Sequence, residues 1–375
     1  MKIIMSCFLH LDELPPAMTL IKELTEQGYE IDYYGVDESS ERLCSLFNHK
    51  VTFHKCAMEM EDQVPNLKVR IKNAIARRAN KLLYRRIAKQ MEEAYVSGDV
   101  VWVLHEYTLE MLGPTIEKLP FYLTMYELPD DLFLPISALK ERMKLAKKII
   151  VPEYTRAAIV QACLGLVEMP YILPNKPYEF PADDYHLEEN PIKALAEEAH
   201  RAGKKIILYS GIFLRERKLE PFIHAIMNHQ DKYELLLIGR WSEYLEELLQ
   251  NYPAIKYLGF VNPPKHLDMI RYADIGILTY VADAGSINPV FCAPNKTWEY
   301  AKFGIPMICN DIPGLKFTVE ANRFGYCCDI NNVTDIEQKL ELICENYEEM
   351  TENSYCYYHT VDVSTLVRNI LSGEG

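Results

Sequence analysis

The stretch "CAPNKTWEYAKFGIPMI", residues 292–308, joins a turn, a short helix and an apolar strand, and it decides how the chain is interpreted. Pro294 favours a helix start and Gly304 a helix end, so the spacing predicts a helix of about ten residues. Lys296 and Glu299 are three residues apart and therefore share one face of that helix. Two explanations stay open. Either Lys296 and Glu299 are both solvated helix residues, or together they hold one ligand that is anionic at one end and hydroxylated at the other.

Short apolar runs flank this stretch on both sides and continue through the whole chain. They lack strict alternation, as expected for strands of a parallel sheet that is covered on both faces. In the second half the predicted strands are 205–211, 233–239, 255–260, 275–281, 306–310 and 326–330. In the first half they are 2–6, 30–35, 51–55, 99–105, 121–128 and 148–152, with helix-like stretches between them such as 15–27.

A chain of 375 residues is too long for one ordinary domain, and the Pro-rich, acidic stretch 173–191 indicates a crossover between two. The predicted fold class is α/β, with two Rossmann-like parallel-sheet domains facing each other across a cleft. The predicted division is a first domain 1–172, a linker 173–200, a second domain 201–350 and a C-terminal tail 351–375 that packs back on the first domain. A last helix is expected over 336–350.

Composition excludes several classes of protein. The net charge of −14 argues against a general nucleic-acid binder. Ten scattered cysteines without a CxxC pair indicate buried, reduced thiols. No uncharged apolar run is long enough to span a bilayer, and acidic residues appear too early for a signal peptide. We therefore expect a cytoplasmic protein.

Glycines and cations follow two predicted strands of the second half. Gly211 stands where the first strand turns, and Arg217 and Lys218 come shortly after it. The next strand ends in Gly239 and Arg240. Backbone N–H groups and cationic side chains at such turns form anion sites, and a diphosphate suits this one, although a solvated charge run is the alternative.

The position of Lys296 favours the ligand explanation for the opening stretch. A cation near the positive end of a helix is disfavoured by the helix dipole, so helix stability alone explains Lys296 poorly. A bound phosphate would remove the conflict. Glu299, one turn further on, can accept hydrogen bonds from both hydroxyls of a ribose.

These elements resemble the second domain of GT-B-fold glycosyltransferases, most closely the retaining family called family 4 or group 1. The resemblance rests on the run "PNKTWEY" (294–300), on "GIP" (304–306) and on the earlier glycine–cation turn, and it covers roughly residues 200–330. It implies that Gly211, Arg217 and Lys218 bind the donor diphosphate. It also implies that Asn295, Lys296 and Glu299 contact the nucleotide sugar, with Glu299 on the ribose.

The chain departs from that family at three places. Phe291 stands where members often have a second glutamate that contacts the donor sugar. Arg217 aligns better than Lys218 with the usual lysine of the first element. Tyr126 stands where many members carry a histidine near the reacting centre. The identity of the sugar and any acid or base role therefore stay open.

The first domain would supply the acceptor side. His10, His105, Glu106 and Glu127 all follow predicted strand ends. Among them His105 and Glu127 are the candidates for a catalytic role. A lone histidine is more often a satisfied strand-end residue, and in retaining relatives the departing phosphate itself can help to deprotonate the acceptor.

The sequence gives no sign of a metal or a cofactor. Asp-x-Asp does not occur in the chain, so we expect Arg217, Lys218 and Lys296 to neutralise the diphosphate instead. The expected donor substrate is a nucleotide-diphospho-sugar, UDP- or GDP-linked.

One segment runs against the acidic composition. Residues 64–91 contain nine Lys or Arg and no Asp or Glu, and they carry an apolar stripe at helical spacing. The segment is either a domain helix with a solvated basic face or a basic amphipathic helix whose apolar face enters an anionic membrane surface. Nucleic acid is disfavoured because no aromatic-rich basic surface accompanies the segment.

The resemblance as a whole implies a metal-independent retaining glycosyltransferase of polysaccharide biosynthesis, acting on a polysaccharide or lipid-linked acceptor. The membrane alternative for residues 64–91 would place it at the inner membrane face as a peripheral protein. Two other readings stay open: a GT-B sugar-nucleotide epimerase, and a non-catalytic sugar-nucleotide-binding subunit.

Overall fold

The computed structural model describes residues 1–55, 67–281 and 287–373, without the side chains of residues 67–79 and 81. This part of the chain forms two compact units. The first unit contains residues 1–174 and 363–375, and the second contains residues 175–362. Each unit is built on one parallel β-sheet.

The sheet of the first unit contains seven strands among the described residues, in the order β3-β2-β1-β4-β5-β6-β7, and all of its pairs are parallel. The strands are β1 (Ile3–Cys7), β2 (Ile31–Gly35), β3 (Val51–Lys55), β4 (Val100–Leu104), β5 (Phe121–Thr124), β6 (Lys148–Val151) and β7 (Tyr171–Ile172). The helices are α1 (Pro15–Glu26), α2 (Glu41–Leu46), α3 (Leu67–Ala94), α4 (Glu106–Leu112), α5 (Ala138–Met143) and α6 (Tyr154–Leu164). Since β1 and β4 are buried along their whole length, both faces of this sheet are covered.

The sheet of the second unit has the order β10-β9-β8-β11-β12-β13, again all parallel. Its elements in chain order are α7 (Ala182–Tyr185), α8 (Pro191–Arg201), β8 (Lys205–Ser210), α9 (Glu220–Met227), β9 (Tyr233–Ile238), α10 (Glu243–Asn251), β10 (Lys256–Tyr257), α11 (His266–Ile270), β11 (Ile275–Leu278), α12 (Asn295–Ala301), β12 (Met307–Asn310), α13 (Pro313–Leu315), β13 (Gly325–Cys328), α14 (Val333–Glu345) and α15 (Tyr347–Thr360). One hydrophobic cluster covers each face of the sheet.

The predicted fold class of two parallel α/β domains is confirmed. All twelve predicted strands form, most of them one to four residues shorter at the carboxyl end, where the chain turns away. The stretch 255–260 keeps only β10. The two-residue β7 was not predicted, since an edge strand of that length leaves no periodic signal. The single helix predicted over 336–350 is wrong, because Asn346 leaves helical geometry and separates α14 from α15.

The segments predicted as linker and tail both contain helices. Within residues 173–200, α8 begins after Asn190, whose side chain accepts a hydrogen bond from the Ile192 N–H, and its apolar stripe packs on the second sheet. After α15, the chain returns to the first unit as α16 (Val363–Ser372).

The two crossover segments are fastened together inside the second unit. The Nζ of Lys176 donates to the carbonyls of Tyr358 (2.7 Å) and Val361 (2.8 Å). The hydroxyl of Tyr358 donates to Glu179 at 2.5 Å, and Glu179 also pairs with Lys302. These bonds connect the segment through which the chain enters the second unit to the segment through which it leaves.

The strand orders determine where ligands are expected. In the first sheet the order in which strands are added reverses between β1 and β4, and in the second it reverses between β8 and β11. Parallel α/β sheets bind ligands outside the carboxyl ends of the strands at such points. None of the helices in the described residues is both long and apolar enough to cross a bilayer.

Candidate functional site

Two glycines with positive φ shape the carboxyl ends of β8 and β9. Gly211 has φ +139°, and its N–H donates to the Ile238 carbonyl at 2.9 Å. A Cβ at Gly211 would lie 2.2 Å from Cε and Nζ of Lys296, and one at Gly239 (φ +152°) would lie 1.8 Å from the Gly211 carbonyl oxygen. The glycines are therefore required where these two turns and the Lys296 side chain come together.

Lys296 is positioned by α12, which begins directly after Pro294. Its Nζ lies 4.6 Å from the centre of the Tyr209 ring. Burial, together with the neighbouring Arg217, lowers the pKa of Lys296 to about 7, while Glu299 acts in the opposite direction. A cation that is desolvated to this extent gains strongly from an anionic ligand.

Arg217 is held flat against an aromatic ring. Its Cζ lies 3.7 Å from the centre of the Tyr280 ring, and its buried Nε has no hydrogen-bond partner among the described residues. The chain on either side is anchored, since the Arg217 N–H donates to the Leu214 carbonyl and the Val281 N–H to the Glu216 carbonyl, both at 2.8 Å. The ring contact thus orients the guanidinium, and its Nε–H is left available to donate to a ligand.

Glu299 pairs with a histidine that sequence reasoning missed. Its Oε1 lies 3.3 Å from Nε2 of His266, and both side chains are largely buried. Burial alone would raise the pKa of Glu299, but His266 and Lys296 outweigh it, so the pKa lies below its usual value. Nδ1 of His266 has no partner in the described part of the chain. His266 orients the carboxylate and keeps it charged.

These side chains surround a cavity of about 280 Å³ at the carboxyl ends of β8, β9 and β11. Six of the predicted residues line it: Gly211, Arg217, Gly239, Asn295, Lys296 and Glu299. The lining residues that the sequence did not point to are Ser210, Ile212, Ile238, Phe260, Val261, Pro263, His266 and Tyr280.

Two predicted residues do not line that cavity. Arg240 is exposed, and its Cζ lies 4.8 Å from the centre of the Phe260 ring. Lys218 is half-buried outside the cavity lining, and its backbone carbonyl accepts a hydrogen bond from the Thr279 hydroxyl at 3.5 Å. The cavity thus brings together two cations, one carboxylate and two strand-end turns. Such a set can bind an anionic group beside a pair of hydroxyls.

The acceptor candidates lie at the carboxyl ends of β4 and β5 in the first unit. His105 caps α4 with φ +75°, and its Nδ1 accepts from the Tyr107 N–H at 3.2 Å. Burial lowers the pKa of His105 to about 4, with Glu127 opposing the shift. The ring is therefore neutral at pH 7, with Nδ1 engaged.

Two carboxyl groups beside His105 differ in environment. Glu106 is buried, with Oε1 3.3 Å from Nδ1 of His105 and no partner for Oε2 among the described residues. Burial raises the pKa of Glu106 to about 8. Glu127 is half exposed, and its Oε2 lies 3.3 Å from both terminal nitrogens of Arg156. His10 is exposed and pairs with Asp37 at 3.2 Å.

No three His, Cys, Asp or Glu side chains converge as metal ligands within the described residues. Tyr126, which stands where the resembling family often has a histidine, is buried with its ring centre 6.2 Å from that of His105.

Comparisons with known proteins agree with this architecture. Residues 192–356 match the family described as glycosyl transferases group 1. Among curated protein sequences, none is similar enough to count as a relative of this chain.

Solved structures of similar fold cover the whole length of the chain. The Anabaena protein Alr3699/HepE, solved in complex with UDP-glucose, has a TM-score of 0.69 and 15% identity, covering 100% of this chain and 99% of its own. Sucrose-phosphate synthase from Thermosynechococcus elongatus has a TM-score of 0.69 and 13% identity over 99% and 97%. A glycosyltransferase from Rickettsia africae has a TM-score of 0.66 and 14% identity over 100% and 97%.

At these identities the structural likeness shows the fold, and the family match identifies the domain that carries the cavity. The chain therefore has the GT-B fold, and its residues 192–356, which carry the cavity, match the group 1 glycosyltransferase family.

Proposed function

We propose that the chain transfers a sugar from a nucleotide-diphospho-sugar to a polysaccharide or lipid-linked acceptor, with retention of anomeric configuration and without a metal ion. The observation that carries this proposal is the cavity in which Arg217 and Lys296 lie beside the Glu299–His266 pair. A UDP-linked donor is favoured over a GDP-linked one because HepE is described in complex with UDP-glucose.

The cavity suggests how the donor binds. The diphosphate would lie over the turns at Gly211 and Gly239, with Arg217 and Lys296 donating to its oxygens. Glu299 would accept hydrogen bonds from the ribose hydroxyls. As the bond to the sugar breaks, negative charge grows on the departing phosphate, and the two cations already in place stabilise it.

The first unit would bind the acceptor at the carboxyl ends of β4 and β5. A neutral Glu106 can donate a hydrogen bond to an acceptor hydroxyl, and the Glu127 carboxylate can accept one. His105 can donate from Nε2 because its Nδ1 is already engaged by Tyr107. Because Nε2 carries the ring proton, His105 would have to lose that proton before Nε2 could act as a base. We therefore propose that His105 positions the acceptor hydroxyl.

The test of function is a radiolabelled donor panel, UDP-glucose first, with lipid-linked and oligosaccharide acceptors and EDTA throughout. We expect acceptor-dependent transfer, with product anomers assigned by NMR as those of the donor. Turnover of donor without acceptor would indicate an epimerase or hydrolase instead. Inversion, or activity lost to EDTA and restored by Mg²⁺, would contradict the retaining and metal-independent parts.

Donor binding should depend on pH through Lys296. Its pKa in the free site is about 7, so above pH 7 the free enzyme loses a charge that a bound diphosphate would retain. Affinity for UDP-glucose, whose diphosphate does not titrate in this range, should be flat below pH 7. Above it, the affinity should fall by up to about tenfold per pH unit.

Calorimetry of UDP-glucose binding between about pH 6 and 9 measures this dependence. The matched control is Lys296→Ala, which should bind weakly with no fall above pH 7. The same pH profile in both proteins would mean that Lys296 is not the titrating group.

We also propose that the protein docks peripherally on the inner membrane face, through the basic segment 64–91. Residues 64–66 and the side chains of 67–79 and 81 lie outside the described residues. In the described part of α3, Ile87 and Met91 are buried in the first unit, while Arg85 and Arg86 are exposed. Ile87 and Met91 therefore belong to the domain core, while Leu82 of the same stripe is exposed. The exposed basic face is what remains for anionic lipid.

Replacing Arg85 and Arg86 by glutamate reverses two charges on that face and so changes its net charge by about four units. We expect binding to phosphatidylglycerol-containing vesicles to fall at least about tenfold, since each basic residue contributes about 1 kcal/mol near an anionic surface. The melting temperature should stay unchanged because both side chains are exposed. Undiminished vesicle binding would remove α3 from the membrane contact.

A further inference from the structure

A run of four exposed residues follows β5 in the first unit. Phe133 is 39% exposed, Leu134 47% and Ile136 86%, and Pro135 between them is exposed as well. Isolated exposed apolar side chains are ordinary, but consecutive ones at a surface indicate a function. Neither the donor cavity nor the acceptor candidates account for this run.

The loop that carries these side chains is firmly built. Leu132 is fully buried, and the hydroxyl of Ser137 donates to Asp131 at 2.5 Å while it accepts from the Leu139 N–H. Nζ of Lys140 donates to the Leu134 carbonyl at 3.0 Å. The apolar side chains are thus presented on an ordered loop, so little conformational entropy is left to lose on binding.

The charges next to the loop are mostly positive. In α5 and the turn after it, Lys144 and Lys147 are exposed and Lys140 is half-buried, whereas Arg142 is buried and pairs with Glu117. The one acid of this stretch, Glu141, pairs with Lys144 at 2.7 Å. Exposed Leu145 lies between Lys144 and Lys147. Asp130 and Asp131 are the acids on the loop side, and Asp131 is already engaged by Ser137.

The basic face of α3 lies on the same side of the sheet. Right-handed crossovers place α3, α4 and α5 on one face of the first sheet, and α4 packs against both of the others. Arg85, Arg86 and Lys89 are exposed on α3. One face of the first unit therefore combines an ordered apolar loop with the exposed basic residues of α3 and of the turn after α5.

We propose that residues 133–136 insert into an anionic lipid bilayer, to which the exposed basic residues of α3 and of the turn after α5 attract the protein. Lipid is favoured over a second copy of the chain because a copy would bring the same positive charges into contact. Apolar side chains flanked by lysines match a bilayer interface, where acyl chains lie beneath anionic headgroups. This inference rests on the membrane part of the proposed function and adds the element that enters the lipid.

Insertion at this loop would also fix where the acceptor is collected. Glu127 follows β5 and precedes the loop by six positions, at the same carboxyl edge of the sheet. A lipid-linked acceptor would then enter from the bilayer beside Glu127 and His105.

The test compares vesicle binding of two variants that lose exposed apolar side chains, three in the loop and two elsewhere in the first unit. The loop variant is Phe133→Ser/Leu134→Ser/Ile136→Ser. The control variant is Val96→Ser/Val167→Ser, which removes exposed apolar side chains before β4 and β7, at the opposite edge of the sheet. With vesicles of phosphatidylcholine and phosphatidylglycerol, we expect the loop variant to bind at least about tenfold more weakly and the control like wild type.

Three outcomes would overturn the inference. Wild-type protein that does not bind the vesicles would remove both the membrane part of the proposed function and this inference. Equal binding by wild type and the loop variant would remove this inference alone. Conversion of a wild-type dimer to a monomer in the loop variant, seen by light scattering, would assign the loop to a copy–copy interface. UDP binding by the loop variant, expected to be unchanged, reports separately on the donor site.

A second readout locates the loop directly. In Ile136→Trp, the emission of the new tryptophan should shift to the blue when phosphatidylglycerol-containing vesicles are added, and not with pure phosphatidylcholine. If anionic vesicles bind the protein but leave the emission of this tryptophan unchanged, the loop stays in water.

Discussion

Replacing Lys296 by alanine is expected to weaken UDP binding by about 1–3 kcal/mol, which corresponds to roughly 5- to 150-fold in Kd. Lys296 lies against Gly211 in the cavity and is desolvated there, so its charge interacts with a bound diphosphate in a poorly screened environment. Turnover should fall at least as far, since the same cation stabilises the leaving group. Calorimetry with UDP and steady-state rates measure the two effects.

The matched control is Lys218→Ala. Lys218 belongs to the same predicted phosphate element but does not line the cavity. Its loss should change UDP affinity by less than about twofold, through long-range charge alone. Equal losses of UDP affinity in the two variants would show that the diphosphate does not bind in this cavity as proposed. They would instead support the predicted role of Lys218 in binding it.

Replacing Glu299 by alanine is expected to separate the two ends of the donor. UDP should bind roughly 10- to 100-fold more weakly, because hydrogen bonds to a charged carboxylate are lost and His266 is left unpaired. Pyrophosphate should bind at least as well as before, because the site loses a negative charge beside Arg217 and Lys296. Competition between each ligand and a fluorescent nucleotide gives both affinities.

The control for this substitution is Glu216→Ala, which removes an exposed glutamate from the loop that leads to Arg217. It should bind UDP and pyrophosphate as wild type does. Equal losses for UDP and pyrophosphate in Glu299→Ala would place Glu299 away from the ribose.

The sequence predicted the sheets well because buried parallel strands are short, apolar and separated by helical periodicity. It also marked the turns at Gly211 and Gly239 and the helix that carries Lys296 and Glu299, since glycines and prolines punctuate the chain at those points. In a parallel sheet the carboxyl ends of all strands lie at one edge, so residues far apart in sequence could be assigned to one site.

The remaining features depend on tertiary packing. His266 pairs with Glu299 from a different helix, 33 positions earlier, and nothing local to "PKHLDM" indicates that contact. Arg217 and Lys218 are adjacent in the sequence, but only Arg217 packs on the Tyr280 ring and lines the cavity. For α3, the sequence displayed an apolar stripe but not whether protein or lipid covers it, and Ile87 and Met91 are covered by the first unit.

The proposed donor site is tested most directly by a thermal-shift panel of UDP, GDP, ADP and CMP, with and without EDTA, on wild type and Glu299→Ala. We expect UDP to raise the melting temperature of wild type equally with and without EDTA, and to raise that of Glu299→Ala much less. Stabilisation by none of the nucleotides, or equal stabilisation of both proteins, would contradict a donor site built on Arg217, Lys296 and Glu299.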